Sequence, residues 1–101
     1  MWVMVMFDLP VTTREAKRAA SAFRKDLLDM GFQMVQYSVY IRFCAAGNNT
    51  QTLSKAVGKM VPSAGKVSVL TFTDKQYGRI TNYHGGHRGP RNRPPAQLQL
   101  L

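Results

Sequence analysis

The chain opens with seven consecutive apolar residues, Met1-Trp2-Val3-Met4-Val5-Met6-Phe7, that stop at Asp8 with Leu9-Pro10 behind it. Such a run is too short to span a bilayer and suits a buried strand, predicted over residues 2–8. Pro10 has no N–H to give to a ladder, so the strand ends there. The period then changes. Ala16, Ala19, Ala20, Phe23, Leu27 and Met30 recur three or four apart and form one stripe of a helix. Thr12 and Glu15 have the spacing of a capping box at its start, and Gly31 stands where a left-handed stop is expected.

Residues 32–36 predict a short strand, with a tight turn near Tyr37. Val39, Ile41 and Phe43 alternate with Ser38, Tyr40 and Arg42, which is the period of a half-buried strand and assigns Tyr40 to the face turned away from the helices. The turn Gly47-Asn48-Asn49-Thr50 runs into a second helix, apolar at Leu53, Ala56, Val57 and Met60 and halted by Pro62. Lys66 to Thr73 is the last core strand, and residues 79–83 form a weaker strand candidate. The order is β-α-β-β-α-β with an appended C-terminal strand. That order predicts an α+β fold of ferredoxin-like plan, an antiparallel four-stranded sheet with both helices on one face.

Residues 1–83 make one domain with one core. From His84 on, Gly, Pro, Arg and Asn dominate; no core can be built from them, and residues 84–101 read as a flexible basic tail ending in Leu98, Leu100 and Leu101. The sheet leaves one apolar face uncovered, which marks a binding surface. It either stacks bases or packs on a second copy. A late strand able to extend a partner's sheet favours a two-fold, sheet-to-sheet homodimer.

Charge narrows the partner. Fourteen Lys and Arg against five Asp and Glu give a net +9, an imbalance best relieved by nucleic acid. A membrane surface would call for bulky apolar residues along a basic helix, whereas the first helix carries mainly Ala on its apolar side. Arg14, Lys17, Arg18, Ser21 and Arg24 share the opposite side, with Lys25 beside them. This stripe is the candidate phosphate contact, with Arg79 and Lys75 as secondary candidates. No constellation suited to reading bases accompanies it, so binding is expected to tolerate any sequence and to fall steeply with salt. Cys44 is alone, so no disulfide forms within the chain, and the N-terminus carries no positive leader; a soluble cytoplasmic protein is expected. His84 and His87 lie in a Gly-rich stretch without acids and make a poor metal site.

Asp8 is the candidate for chemistry, because a carboxylate at the lip of a core strand must be hydrogen-bonded, paired or metal-bound if it is desolvated. The competing reading is structural: Asp8 caps the turn through Pro10, accepting backbone N–H groups at the start of the helix.

Taken together, Phe7-Asp8-Leu9-Pro10 after an apolar strand, a basic helix, Gly31-Phe32, Gln36-Tyr37-Ser38-Val39-Tyr40 and Thr73-Asp74-Lys75-Gln76-Tyr77 resemble the family of CRISPR-associated protein two over residues 1–83. The resemblance implies a ferredoxin-like homodimer at the centre of the spacer-acquisition complex. There it bridges two dimers of the integrase CRISPR-associated protein one and supports double-stranded DNA. It also implies a metal-dependent nuclease acting on RNA or DNA, with Asp8 as the Mg²⁺-associated residue. One carboxylate per protomer is a thin catalytic apparatus, so the main role is expected to be structural, with Mg²⁺ shared by two copies of Asp8 across the two-fold. A free-standing, toxin-type ribonuclease similar to virulence-associated protein D is the alternative. An RNA-recognition-motif module is disfavoured, because Ser38-Val39-Tyr40-Ile41-Arg42-Phe43 lacks that motif's glycines.

Overall fold

The uninterrupted apolar run places the first strand at the centre of the sheet, where both of its edges are paired. In the computed structural model, which describes residues 1–45 and 49–85, β1 (Trp2–Asp8) lies between β3 (Val39–Phe43) and β4 (Lys66–Phe72). The short β2 (Gln33–Gln36) adds to the far side of β3, giving an antiparallel sheet of order β2-β3-β1-β4. The helices α1 (Arg14–Asp29) and α2 (Thr50–Gly58) cover one face. The ferredoxin-like α+β plan expected from the sequence is present.

Side chains of β1 divide by parity. Val3 and Val5 are fully buried and join Phe23 and Leu27 of α1, Val57 of α2, Phe32, Tyr40 and Cys44 in the core. Phe7 extends this face, meeting Phe23 edge-on at 5.1 Å between ring centroids. Trp2, Met4, Met6 and Asp8 project from the other face. The register sets them opposite Phe72, Leu70, Ser68 and Lys66 of β4, and sets the first three opposite Phe43, Ile41 and Val39 of β3.

The same register overturns one expectation. Tyr40 pairs with Val5 and lies on the covered face, 1% exposed, so it is not part of the open surface. Val39, Ile41 and Phe43 take the open side instead. The pairing with β1 fixes this, because Tyr40 stands opposite buried Val5; the extra residue of the β2–β3 irregularity, Val35, lies on β2 and leaves the facing of β3 unchanged.

Helix α1 begins one residue later than the capping-box spacing suggests. Thr13 is its N-cap and accepts a 3.0 Å hydrogen bond from the Ala16 N–H, so Glu15 is not held by a box with Thr12. Its stop is as expected, with Gly31 at φ 89°. Asn49 caps α2 through bonds from the N–H groups of Gln51 and Thr52; Gly47 and Asn48 of the expected turn lie outside the described residues.

After β4 the chain forms a short helix, α3 (Asp74–Tyr77), closed by a reciprocal capping box between Thr73 and Gln76. Residues 79–83, expected as an appended strand, form no strand and pair with none among the described residues. Of the basic tail, residues 86–101 lie outside the described residues.

Candidate nucleic-acid interface

Two surfaces carry the predicted function, and the sheet stands between them. On the helix side, Arg14, Lys17, Arg18, Arg24 and Lys25 are all exposed on α1. Their exposure follows from the stripe: burying Ala20, Phe23 and Leu27 turns the residues opposite them to solvent. Among the described residues only Lys25 of this group has an ion-pair partner, Asp29 one turn on at 3.0 Å. That hydrogen bond and the Asp29 charge raise the Lys25 pKa above its ordinary value. Arg24 sits at the flank of the stripe, close enough to Tyr40 for its charge to act on the phenol; burial nonetheless dominates and pushes the Tyr40 pKa up. Arg79 is exposed just beyond α3, its backbone N–H bonded to the Gln76 carbonyl. The sequence-predicted cations thus form a surface on α1 with Arg79 outside that helix.

On the open side, Met4, Met6 and Val39 are half-buried, and Phe43 and Leu70 expose about half of their surface at 48% and 49%. One end of this face is closed by the chain itself. Tyr77 of α3 stacks on Trp2 with ring centroids 4.0 Å apart and planes within 10°, while Phe43 meets Trp2 edge-on at 5.2 Å. The remainder is an apolar surface with no cover from the described residues.

Asp8 lies at the opposite end of β1 from Trp2, exposed, on the open side of the sheet. The helix cap that would have occupied it belongs to Thr13. Asp8 also enters no ion pair among the described residues, so its carboxylate is available. No group of three His, Cys, Asp or Glu side chains is gathered into a cation site among the described residues. A single accessible carboxylate fits a magnesium ion that keeps most of its waters and takes one or two carboxylates, the second being available only from another copy. Asp8 and the α1 stripe are therefore not one constellation, because they belong to opposite sides of the sheet.

Sequence reasoning passed over two features. The Thr73-x-x-Gln76 spacing is itself a capping-box signal and could have revealed α3. Lys66, the cross-strand neighbour of Asp8, becomes visible only once β1 and β4 are paired along their full length.

These features have relatives. A sequence model of the family described as CRISPR associated protein Cas2 matches residues 1–80. A protein named CRISPR-associated endoribonuclease Cas2 from Parvibaculum lavamentivorans is 52% identical over 101 residues, covering all of both chains. Proteins of the same name from Paracidovorax avenae and Flavobacterium psychrophilum are 49% and 43% identical over the whole of this chain and 94% and 88% of their own. With the family model spanning the entire described sheet and identity sustained from end to end, this chain belongs to the CRISPR associated protein Cas2 family.

Proposed function

We propose that the protein works in CRISPR adaptation as a homodimer packed sheet to sheet, bridging integrase dimers and holding duplex DNA along its two α1 helices without sequence preference. The observation that carries this reading is the division of the sheet: an uncovered apolar face on one side and an exposed cationic helix on the other. Packing two open faces removes Met4, Met6, Leu70 and Phe43 from water. It leaves both cationic helices outward, where a single polyanion can engage the two and release counterions. Cations spread along one exposed helix face suit contacts to successive phosphates, which position a duplex and carry no sequence information.

The test is solution mass together with duplex DNA binding over a salt series. Arg14→Ala with Arg18→Ala should leave the dimer intact and lower the magnitude of the salt slope by about 1.8 for each helix in contact. An unchanged slope, or a single-copy species that ignores duplex DNA at low salt, overturns the reading.

A second activity is supported by the name that the relatives carry and by the exposed carboxylate: slow Mg²⁺-dependent cleavage of RNA or DNA at Asp8. The Asp8 carboxylate, with its counterpart from the second copy, would hold the ion, which when bound supplies Lewis acidity at a phosphodiester. Comparing cleavage by wild type and Asp8→Asn, with Mg²⁺ and with chelator, tests it; equal rates remove Asp8 from the chemistry. Action as a toxin-type ribonuclease without integrase partners predicts no co-purification with a larger integrase.

A further inference from the structure

Asp8 and Lys66 form the last pair of the β1–β4 ladder, so their side chains leave the same face of the sheet from neighbouring strands. Opposite charges in directly opposed positions ordinarily meet. Here both residues are exposed and no ion pair joins them among the described residues, the only two being Met1–Asp74 and Lys25–Asp29. A carboxylate and an ammonium thus stand on neighbouring strands with no ion pair between them among the described residues.

Their placement is fixed by Gly65. This residue has φ 97°, and a Cβ built on it would come 2.8 Å from the Asp8 carbonyl oxygen, 2.7 Å from Leu9 Cδ2 and 3.0 Å from Pro10 Cδ. Backbone lies against backbone at that point, so the start of β4 is clamped to the end of β1. Lys66 cannot drift along the ladder without breaking this contact.

We propose that Lys66 is the phosphate-holding cation of the Asp8 site. The proposal rests on the reading of Asp8 as the point where a nucleic-acid strand is cut, and it names the residue that holds that strand. Two Asp8 carboxylates sharing one divalent ion leave no net charge there, so a phosphodiester drawn to the ion brings a further, unbalanced negative charge. A lysine ammonium on the neighbouring strand offers three donors to the non-bridging oxygens and balances that charge. Lys66 acts by binding and positioning the strand, and no proton transfer is assigned to it.

The experiment uses the full chain and a radiolabelled RNA strand of mixed sequence. Filter binding is measured over a salt series in chelator, and cleavage kinetics are measured with Mg²⁺, for wild type, Lys66→Gln, Lys66→Arg and Asp8→Asn. Lys66→Gln should weaken binding about five-fold per site at roughly 0.1 M salt and reduce the magnitude of the salt slope by about 0.7. It should raise KM by a similar factor while leaving kcat near wild type, the pattern of lost uniform binding. Lys66→Arg should restore both slope and KM. If Lys66→Gln binds and cuts like wild type while Asp8→Asn is inactive, the assignment of Lys66 falls and the Asp8 reading stands. If Asp8→Asn cuts as fast as wild type, the Asp8 reading falls and takes this assignment with it.

Discussion

The two faces of the sheet are built from similar residues and meet different fates. On one, Val3, Val5 and Tyr40 disappear beneath α1 and α2; on the other, Met4 and Met6 of β1 and Leu70 of β4 remain in contact with water. Apolarity alone therefore does not decide burial here. Burial is complete only on the parity that the helices cover; on the other, Ile41 and Phe72 are each 7% exposed while Phe43 and Leu70 expose about half of their surface. Both sides hold branched and aromatic side chains; on the open one, Met4 and Met6 of the central strand supply flexible side chains that adapt to irregular partners.

Substitutions should separate the two faces by the property each supports. The largest effect is expected on the covered side. Phe23→Ala removes a ring packed edge-on against Phe7 and should lower folding stability by about 3–5 kcal/mol, read from denaturant unfolding. Leu70→Glu on the open face should change folding of the single chain little, by roughly 0.5 kcal/mol. In a sheet-to-sheet dimer the same change buries unpaired charge, costing about 2 kcal/mol or more, so the dissociation constant should rise at least about thirty-fold. Equal loss of folding stability in both variants would erase the distinction between the faces.

Smaller changes sharpen it. Thr13→Ala deletes the α1 cap bond and should cost about 1 kcal/mol in thermal or chemical unfolding, well below Phe23→Ala, because α1 is held chiefly by its buried stripe. The smallest effect is a pH effect. Burial raises the Tyr40 pKa above the usual phenol value of 10.0, so the folded chain keeps its proton where the unfolded chain has lost it. Stability contributed by the neutral phenol is complete below that value and declines as pH rises from there toward the higher folded value. Tyr40→Phe should flatten this alkaline limb in a pH series of unfolding midpoints.

Much of the fold was legible in the order of the apolar periods. The strand over residues 2–8, the stripe from Ala16 to Met30 and the stop at Gly31 all stand where the pattern puts them. Tyr40 was not legible, and for a physical reason: it shares a parity with Ser38 and Arg42 and alternates with the more apolar Val39, Ile41 and Phe43, so the period turns it outward. The answer lay in the pairing with β1, which sets Tyr40 opposite the buried Val5. The start of α1 was ambiguous because Thr12 and Thr13 are adjacent and only backbone geometry selects between them. At the candidate site, Asp8 and the α1 cations could be named from type and spacing. Lys66 could not, since 57 intervening positions separate it from Asp8 and only the β1–β4 pairing brings the two together.

The Trp2–Tyr77 stack gives the protein an optical reporter of its own. Trp2 is the single tryptophan of the chain, and it sits at the margin of the open face with its ring already against an aromatic neighbour. A second copy settling on that face would dry the indole's surroundings and shift its emission toward the blue. Dilution would then trace assembly through intrinsic fluorescence, with no label attached.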